Sequence, residues 1–399
     1  MPDRRSHREC AASRGLAEAG GGMIQPLVAL DLGSTKVACA IGLPHEQAPG
    51  FTLMGSSLIP YAALSELWSA DPLMVSRTIE QALEATAVSA HVQRALVAFD
   101  HPALTSEIVQ ATLPLADEPV SIRAQDVDRL RRRALDQGVG LDREPLVVEC
   151  LGCSGNGFEG IRDPQGLPAT RLRGAFHIVT MPVALRRAVV QAVEGAGLEI
   201  AQLNSTLPAV FSSMAEEAHC RARALLIDVG GRSTGVGLFV DGTWCAAAIL
   251  PWGGLTLATE LATTLRVTMD QATAWSLEGT SCRRAPVREV IERRWASIPA
   301  AVEGLLTNQP QPDAAFLTGR GALIDGLAEW IERRTHLPVT LCRSPRTSAL
   351  SDLSRQLGLS AALGLLEQAT GTARSTPPPS PHALNRLIHR TKTLLTEYF

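Results

Sequence analysis

The sequence lacks the features of a membrane-spanning, secreted or nucleic-acid-binding protein. No apolar run approaches the roughly 18 residues of a spanning helix, and the N-terminus has no apolar signal core. The net charge of −3 argues against general affinity for nucleic acid, and we expect no nucleic-acid partner. We therefore expect a cytoplasmic protein, whose 399 residues are enough to build two hydrophobic cores.

Cysteine is present but forms no recognisable framework. The eight cysteines are scattered, and the one close pair, Cys150 and Cys153, has no second pair to complete a zinc site or a disulfide set. Free thiols in a reducing compartment are the better interpretation of this pattern.

One pattern is present twice. Leu27 to Gly42 reads LVALDLGSTKVACAIG, and Leu225 to Phe239 reads LLIDVGGRSTGVGLF. Each copy is an apolar strand carrying an Asp near its end, a Gly-rich turn and a second apolar strand, a hairpin whose backbone N–H groups point at one spot. Two such units across a cleft would bind a nucleotide from both sides, and Asp31 and Asp228 would hold Mg²⁺ through water.

Lysine is almost absent, since only Lys36 and Lys392 occur among 37 basic residues. Lys36 lies in the first turn, where a compact ammonium suits a terminal phosphate better than a forked guanidinium; chance placement is the alternative. A third Gly-rich turn, Thr318 to Gly321, follows a short apolar strand, which is typical of a phosphate or ribose site and equally of an ordinary helix start.

These turns define a candidate site for ATP with Mg²⁺. Its expected residues are Asp31, Gly33, Ser34, Thr35 and Lys36 in the first turn, Asp228, Gly230, Gly231, Arg232, Ser233 and Thr234 in the second, and Gly319, Arg320 and Gly321 in the third.

Several further segments occur in a fixed order: HIVTMPVALRRAVVQAVEGAGLEIAQL, LPWGGLTLATELA, REVIERR, FLTGRGALIDGLAEWIERRTHLPVTL and LSAALGLLE. Together with the two hairpins, this series resembles the bacterial actin-like cell-division protein family FtsA over residues 24–370. The resemblance implies an α/β, actin/Hsp70-like ATPase fold, in which two RNase-H-like domains surround a nucleotide cleft and the first carries an inserted FtsA-type subdomain.

The resemblance also implies a division into subdomains. These are 1A at 24–104 and 175–206, the inserted 1C at 105–174, 2A at 207–252 and 313–370, 2B at 253–312, a Pro-rich linker at 371–381 and an amphipathic membrane-targeting helix at 382–399, with residues 1–23 a disordered extension or a mis-assigned start. Within this scheme the strand Ala175 to Thr180 belongs to 1A, and single helices are expected at Val287 to Leu306 and Leu323 to Arg334.

The nucleotide motifs depart from the family pattern. The third Gly of the second turn is Arg232 and its closing Asp is Gly235, while Arg320 replaces the second Gly of the adenosine turn. The Glu and Lys that the family presents to ribose and base align with Ala272 and Trp275. We expect weak ATP binding and at most weak ATPase activity, with no catalytic residue assigned.

The C-terminal residues have helical periodicity after the Pro-rich segment ARSTPPPSP. An apolar stripe of this kind fits a helix lying on a membrane, with docking on its own domain as the alternative. The expected membrane-contacting residues are Leu384, Leu387, Ile388, Leu394, Leu395, Tyr398 and Phe399.

The resemblance implies an adaptor that tethers FtsZ filaments to the inner face of the cytoplasmic membrane at the division site. It implies a site for the FtsZ C-terminal tail that includes Glu292 and Arg294, other division proteins bound through the inserted subdomain, and self-association into actin-like filaments. Three alternatives share the fold: a platform protein of a pilus or secretion machine, a sugar or acetate kinase, and an Hsp70-type chaperone.

Overall fold

The computed structural model describes residues 24–61, 68–89, 92–214, 223–307 and 309–371. The expectations for residues 1–23, for linker residues 372–381 and for the helix at 382–399, including the membrane-contacting residues Leu384 to Phe399, lie outside the described residues.

The chain begins with an antiparallel meander, followed by a helix and a parallel strand. These elements are β1 (Leu27–Leu32), β2 (Lys36–Pro44), β3 (Phe51–Pro60), α1 (Pro72–Ala85) and β4 (Arg94–Phe99). The apolar runs in β1 and β4 are buried almost throughout, as expected for central strands. Asp71 starts α1, because its carboxylate accepts the Met74 amide N–H (3.0 Å) and Pro72 takes the first helical position.

A separate antiparallel sheet with its own helix interrupts this first half. Its elements are β5 (Thr105–Pro114), β6 (Val120–Ser121), α2 (Ala124–Gly138), β7 (Arg143–Gly155), β8 (Phe158–Ile161), β9 (Pro168–Ala169) and β10 (Arg171–Pro182). The strand order is β5-β10-β7-β8, and α2 packs on β5 and β10 around a small core that includes Leu130 and Phe176.

The expected boundary of this insert, between residues 174 and 175, is wrong. All of β10 pairs within the inserted sheet, where Arg171 lies opposite Pro114 and Thr180 opposite Thr105. An apolar strand has the same local pattern whichever sheet it joins, so the sequence of Ala175 to Thr180 did not distinguish the two.

The first half is completed by α3 (Val183–Gly195), β11 (Glu199–Ser205) and α4 (Thr206–Ser213). Its sheet has the order β11-β4-β1-β2-β3, with β1, β4 and β11 parallel and β2 and β3 antiparallel.

The second half repeats this plan. Its elements are β12 (Arg223–Val229), β13 (Thr234–Val240), β14 (Thr243–Leu250), α5 (Gly254–Leu265), α6 (Met269–Glu278), α7 (Ala285–Trp295), α8 (Ser297–Leu305), β15 (Ala314–Thr318), α9 (Leu327–Thr335), β16 (Val339–Leu341) and α10 (Leu353–Ala369). The sheet order β14-β13-β12-β15-β16 mirrors that of the first sheet, again with three parallel strands and an antiparallel meander.

Two helices cross between the halves. The helix α4 contacts β4 and β11 of the first sheet and β12 and β13 of the second, and α10 packs on α4 and on β1 to β4. The expected assignment of residues 313–370 to subdomain 2A is therefore wrong for α10, which covers the first sheet. Almost every side chain from Gln356 to Leu366 is buried, consistent with a helix enclosed on all sides.

Two expected helices of the second half have different bounds in the structure. The segment Val287 to Leu306 forms α7 and α8, which meet at Ala296 three residues before Pro299, a residue that cannot donate a backbone hydrogen bond. The segment Leu323 to Arg334 contains Gly326 at φ +75°, and α9 begins only after it. Within the described ranges, no helix combines the length and apolar character needed to cross a bilayer.

Candidate functional site

A cleft lies where the strand ends of the two sheets face each other. It encloses about 630 Å³, counting the open space at its mouth. Three turns line it: β1 to β2, β12 to β13, and the turn that follows β15. The N-terminal half of α10 and the start of α4 complete its walls.

The first two turns touch each other. The Arg232 backbone N–H donates to Ser34 Oγ (2.9 Å), and a Cβ at Gly231 would collide with Thr35. Gly319 has a φ of +78°, and a Cβ there would collide with the Asp228 carboxylate. Glycine is thus required at Gly231 by a close approach of two turns and at Gly319 by both its conformation and its neighbour.

Lys36 and Asp31 form a buried ion pair at the base of the cleft. The Lys36 ammonium also donates to the Gly358 carbonyl of α10 (3.1 Å). The Tyr61 hydroxyl is buried without a hydrogen-bond partner among the described residues, and burial together with the charge of Asp31 raises its pKa. Lys36 therefore links the first turn to the crossing helix, a role beyond the expected contact with phosphate.

Two further carboxyls share the cleft and have strongly raised pKa values. Burial and the charge of Asp31 raise the pKa of Asp228 to about 7, although Lys36 opposes this. Burial also raises the pKa of Asp100 to about 8, with smaller contributions from Asp228 and Asp31. Ser205 Oγ and the Thr206 N–H donate to Asp100 Oδ1 (2.6 and 3.3 Å), while Oδ2 has no partner among the described residues.

This arrangement fits a hydrated divalent cation. Three carboxyls face one ammonium, so a cation would relieve their mutual repulsion, and the unpartnered Asp100 oxygen can accept from a metal-bound water. Within the described ranges, no three His, Cys, Asp or Glu side chains are close enough to hold a metal directly. Mg²⁺ commonly keeps several waters and uses few carboxylates, with ligand phosphates as the remaining partners.

Most of the expected nucleotide residues line the cleft. The expected residues found there are Asp31, Gly33, Ser34, Thr35, Lys36, Asp228, Gly230, Gly231, Ser233, Gly319 and Arg320. Arg320 lies at the margin, where its Nε donates to Ser354 Oγ (2.8 Å).

Three expected residues lie outside the cleft lining. Arg232 lines a separate groove along α5. Thr234 is fully buried, and its hydroxyl donates to the Trp252 carbonyl (2.8 Å). Gly321 packs against Val229, whose Cγ1 would lie 2.5 Å from an added Cβ. The buried hydroxyl of Thr234 and the close packing of Gly321 support structural roles for these two residues.

Part of the lining lies outside the residues that the sequence motifs predict. It includes Asp100 and, from the crossing helices, Thr206, Val210, Leu357, Gly358 and Ala361. The sequence does contain a feature that points to Asp100. This residue directly follows the buried strand β4, which is parallel to β1 and so ends at the same sheet edge. No local sequence feature points to the α10 residues, because their position at the cleft depends on packing between distant segments.

The positions aligned with the nucleoside-binding pair are occupied by packing residues. Ala272 is fully buried in the core of the second half, and Trp275 packs against that core with the Arg284 guanidinium 4.5 Å from its ring centre. Neither residue lines the cleft.

The two expected FtsZ-tail residues lie on α7. Arg294 pairs with Glu260 of α5, which also receives Arg293 (3.0 Å), whereas Glu292 is exposed. Arg294, Glu260 and Arg232 line one groove together with threonines of α5. Arg294 therefore contacts the neighbouring helix α5, on a surface that remains open.

The repeated sheets and the cleft define a protein of the actin-like ATPase fold. A solved PilM-PilN type IV pilus biogenesis complex contains a chain of this fold, with a TM-score of 0.66 and 15% identity, covering 86% of this chain and 98% of that one. At 15% sequence identity, this structural similarity shows only that the two chains share a fold.

The family comparison is more specific. Residues 103–180 match the SHS2 domain inserted in FtsA. The chain is 22% identical over 406 residues to cell division protein FtsA of Pseudomonas aeruginosa, covering 90% of this chain and 96% of that protein. It is 23% identical over 381 residues to cell division protein FtsA of Escherichia coli K12, covering 85% of this chain and 89% of that protein. The resemblance to FtsA is thereby confirmed.

Proposed function

We propose that this chain is an FtsA-like cell-division protein, an actin-fold adaptor that links FtsZ filaments to the cytoplasmic face of the inner membrane at the division site. The observation that carries the proposal is the inserted sheet between β4 and α3, which coincides with the segment matching the domain inserted in FtsA. The fold alone would fit other proteins of its class, and the insert is the feature that separates them.

A test follows from the alternatives. A fluorescent fusion should concentrate at mid-cell in dividing cells, and the purified protein should retain FtsZ in a pull-down. Localisation to cell poles or pilus bases without FtsZ retention would favour a platform protein of a pilus or secretion machine. Diffuse fluorescence with phosphorylation of a small substrate would favour a kinase.

The proposed cofactor is ATP with Mg²⁺, bound in the cleft. The first and second turns would hold the phosphates, Lys36 would lie near the terminal phosphate, and Asp31, Asp228 and Asp100 would orient the water shell of the metal. Lys36 is already engaged by Asp31 and the Gly358 carbonyl, so phosphate binding has to compete with existing contacts. The affinity is therefore expected to be weak.

Little or no hydrolysis is proposed. Gly235 lies against Leu207 of α4, and a side chain there would begin 3.1 Å from Leu207 Cδ2. This position therefore offers no carboxylate to hold an attacking water in line, where the related family has an Asp. The role of nucleotide would then be to bias conformation rather than to drive turnover.

The remaining partners belong to the same proposal. The groove formed by Arg232, Glu260, Arg294 and the α5 threonines is proposed to take the acidic FtsZ C-terminal tail, since guanidinium groups bind carboxylates well. Residues 382–399 are proposed to bind the membrane as a surface helix. Self-association into actin-like filaments would display many such helices together and strengthen a marginal anchor, and the inserted subdomain is proposed to bind other division proteins.

A further inference from the structure

Two cysteines of the inserted sheet meet because of an irregularity in strand β7. Cys150 lies opposite Phe176 of β10, Gly152 opposite Ala175, and Cys153 opposite Gly174, which leaves one residue unpaired. Residues three apart in a regular strand point to opposite faces. The extra residue of the bulge places both thiols on one face, with Sγ atoms 3.8 Å apart.

The two thiols differ in access. Cys153 is completely buried in the small core beneath α2. Cys150 is half-buried and lines a groove between the inserted sheet and the second half of the chain, about 810 Å³ including its open mouth. The groove walls include Arg162, Trp244 and Gln368, so a small molecule can reach Cys150 while Cys153 is shielded.

The charges around the pair distinguish the thiols in the same way. The hydrogen bond from Cys153 lowers the pKa of Cys150, assisted by the Gly152 N–H and the Arg162 guanidinium and opposed by burial and Glu149. Accordingly, the pKa of Cys153 is raised by that hydrogen bond, burial and the charges of Cys150 and Asp163. Near neutral pH, a larger fraction of Cys150 is therefore thiolate than in an ordinary cysteine, whose pKa is about 8.5.

We propose that Cys150 and Cys153 form a redox-active dithiol that reacts with small-molecule disulfides, Cys150 as the attacking thiol and Cys153 as the resolving one. The Cys150 thiolate attacks one sulfur of oxidised glutathione, forming a mixed disulfide and releasing one glutathione thiolate, which takes up a proton. Cys153 then loses its proton and attacks Cys150 Sγ, forming the intrachain disulfide and releasing a second glutathione. The protein loses two electrons, and the glutathione disulfide is reduced to two thiols.

The site is independent of the nucleotide cleft and of the proposed division function. It lies in the one part of the chain that matches the FtsA insert, against the groove where that insert meets the second half. Modification of Cys150 would therefore place an adduct or a disulfide at this junction.

The test uses the reduced full-length chain incubated with oxidised glutathione, quenched in acid, alkylated and digested with trypsin. Cleavage after Arg143 and Arg162 releases a peptide, residues 144–162, that contains both cysteines and no others. In the wild type this peptide should lose two hydrogens and escape alkylation. C153S should instead accumulate one glutathione on Cys150, and C150S should gain neither modification. C245S, which removes a buried thiol of β14, should behave as the wild type.

A second readout is the pH dependence of Cys150 alkylation in the native protein, which should reach half its maximal rate at a lower pH than the roughly 8.5 of an ordinary cysteine. The proposal is overturned if the wild-type peptide stays fully alkylated under these conditions. It is equally overturned if C150S forms the glutathione adduct and C153S does not, or if alkylation of Cys150 follows the pH dependence of an ordinary thiol.

Discussion

Replacing Asp100 by asparagine should stabilise the ligand-free protein at neutral pH. The neutral acid is favoured in the folded state, where Oδ1 already accepts the Ser205 hydroxyl and the Thr206 N–H. An asparagine keeps that acceptor and places its NH₂ group where the acid has an oxygen without a partner among the described residues. The substitution thus mimics the protonated carboxyl and removes the ionisable group.

The size of the effect follows from the raised pKa. An unfolded chain ionises Asp100 near its ordinary pKa of 3.8, whereas the folded protein ionises it at about 8. Folding stability due to this group is complete below the unfolded pKa and falls by ~1.4 kcal/mol per pH unit as the pH rises to the folded pKa. The upper limit of the penalty is ~4 kcal/mol at pH 7, and water in the open cleft reduces it, so we expect D100N to gain ~1–2 kcal/mol.

The assay is urea unfolding at several pH values between 4 and 9, for the wild type, D100N and a control, D136N, at an exposed position of α2. The variant and the wild type should coincide near pH 4 and diverge steadily towards pH 8, with the wild-type midpoint falling. The control should follow the wild type throughout. A D100N midpoint below that of the wild type at pH 7 to 8, or parallel curves, would refute the reasoning.

Three further outcomes are expected. Ending the chain at Pro381, or replacing Leu387 and Ile388 by Asp, should abolish sedimentation with liposomes. Seven apolar side chains at ~1 kcal/mol each form only a marginal anchor, so the loss of two of them is enough to release the protein. Equal sedimentation of all forms would contradict the membrane helix. Arg294→Glu should weaken binding of a synthetic FtsZ C-terminal peptide at least tenfold in a fluorescence titration, whereas Asp136→Asn should not; unchanged affinity would exclude Arg294 from the site. Calorimetry should give a dissociation constant on the order of 100 μM or weaker for Mg·ATP and a similar value for Mg·GTP. The affinity should rise from pH 6 to 8 as the cleft carboxyls ionise, and a phosphate-release assay should detect no turnover. Low-micromolar, ATP-selective binding or steady turnover would contradict the proposed weak site.

The parts of the fold that depend on local pattern could be predicted from the sequence. Both hairpins follow from apolar runs joined by Gly-rich turns, and the cleft lining contains Lys36 and Asp31 as expected. The break before α8 was also available in principle, because Pro299 lies in its first turn. These features depend on neighbours close in sequence.

The rest depends on contacts between distant segments. Nothing local to Ala175–Thr180 indicates that the strand joins the inserted sheet, and nothing local to α10 indicates that it returns to the first half. The position of Asp100 after the buried strand β4 can be read from the sequence, but its raised pKa cannot, because burial in the assembled cleft and the nearby Asp228 and Asp31 cause it. The bulge that joins Cys150 to Cys153 is likewise a property of pairing with β10.

The return of α10 to the first sheet has a consequence for synthesis on the ribosome. The last strand of that sheet ends at Ser205, but the helix that covers it ends at Ala369, about 160 residues later. At roughly 5–20 residues per second, the growing chain would expose this apolar surface for ~10–30 s. During that interval the nascent first half is a substrate for chaperones, and a fragment ending near residue 214 would keep that surface permanently uncovered.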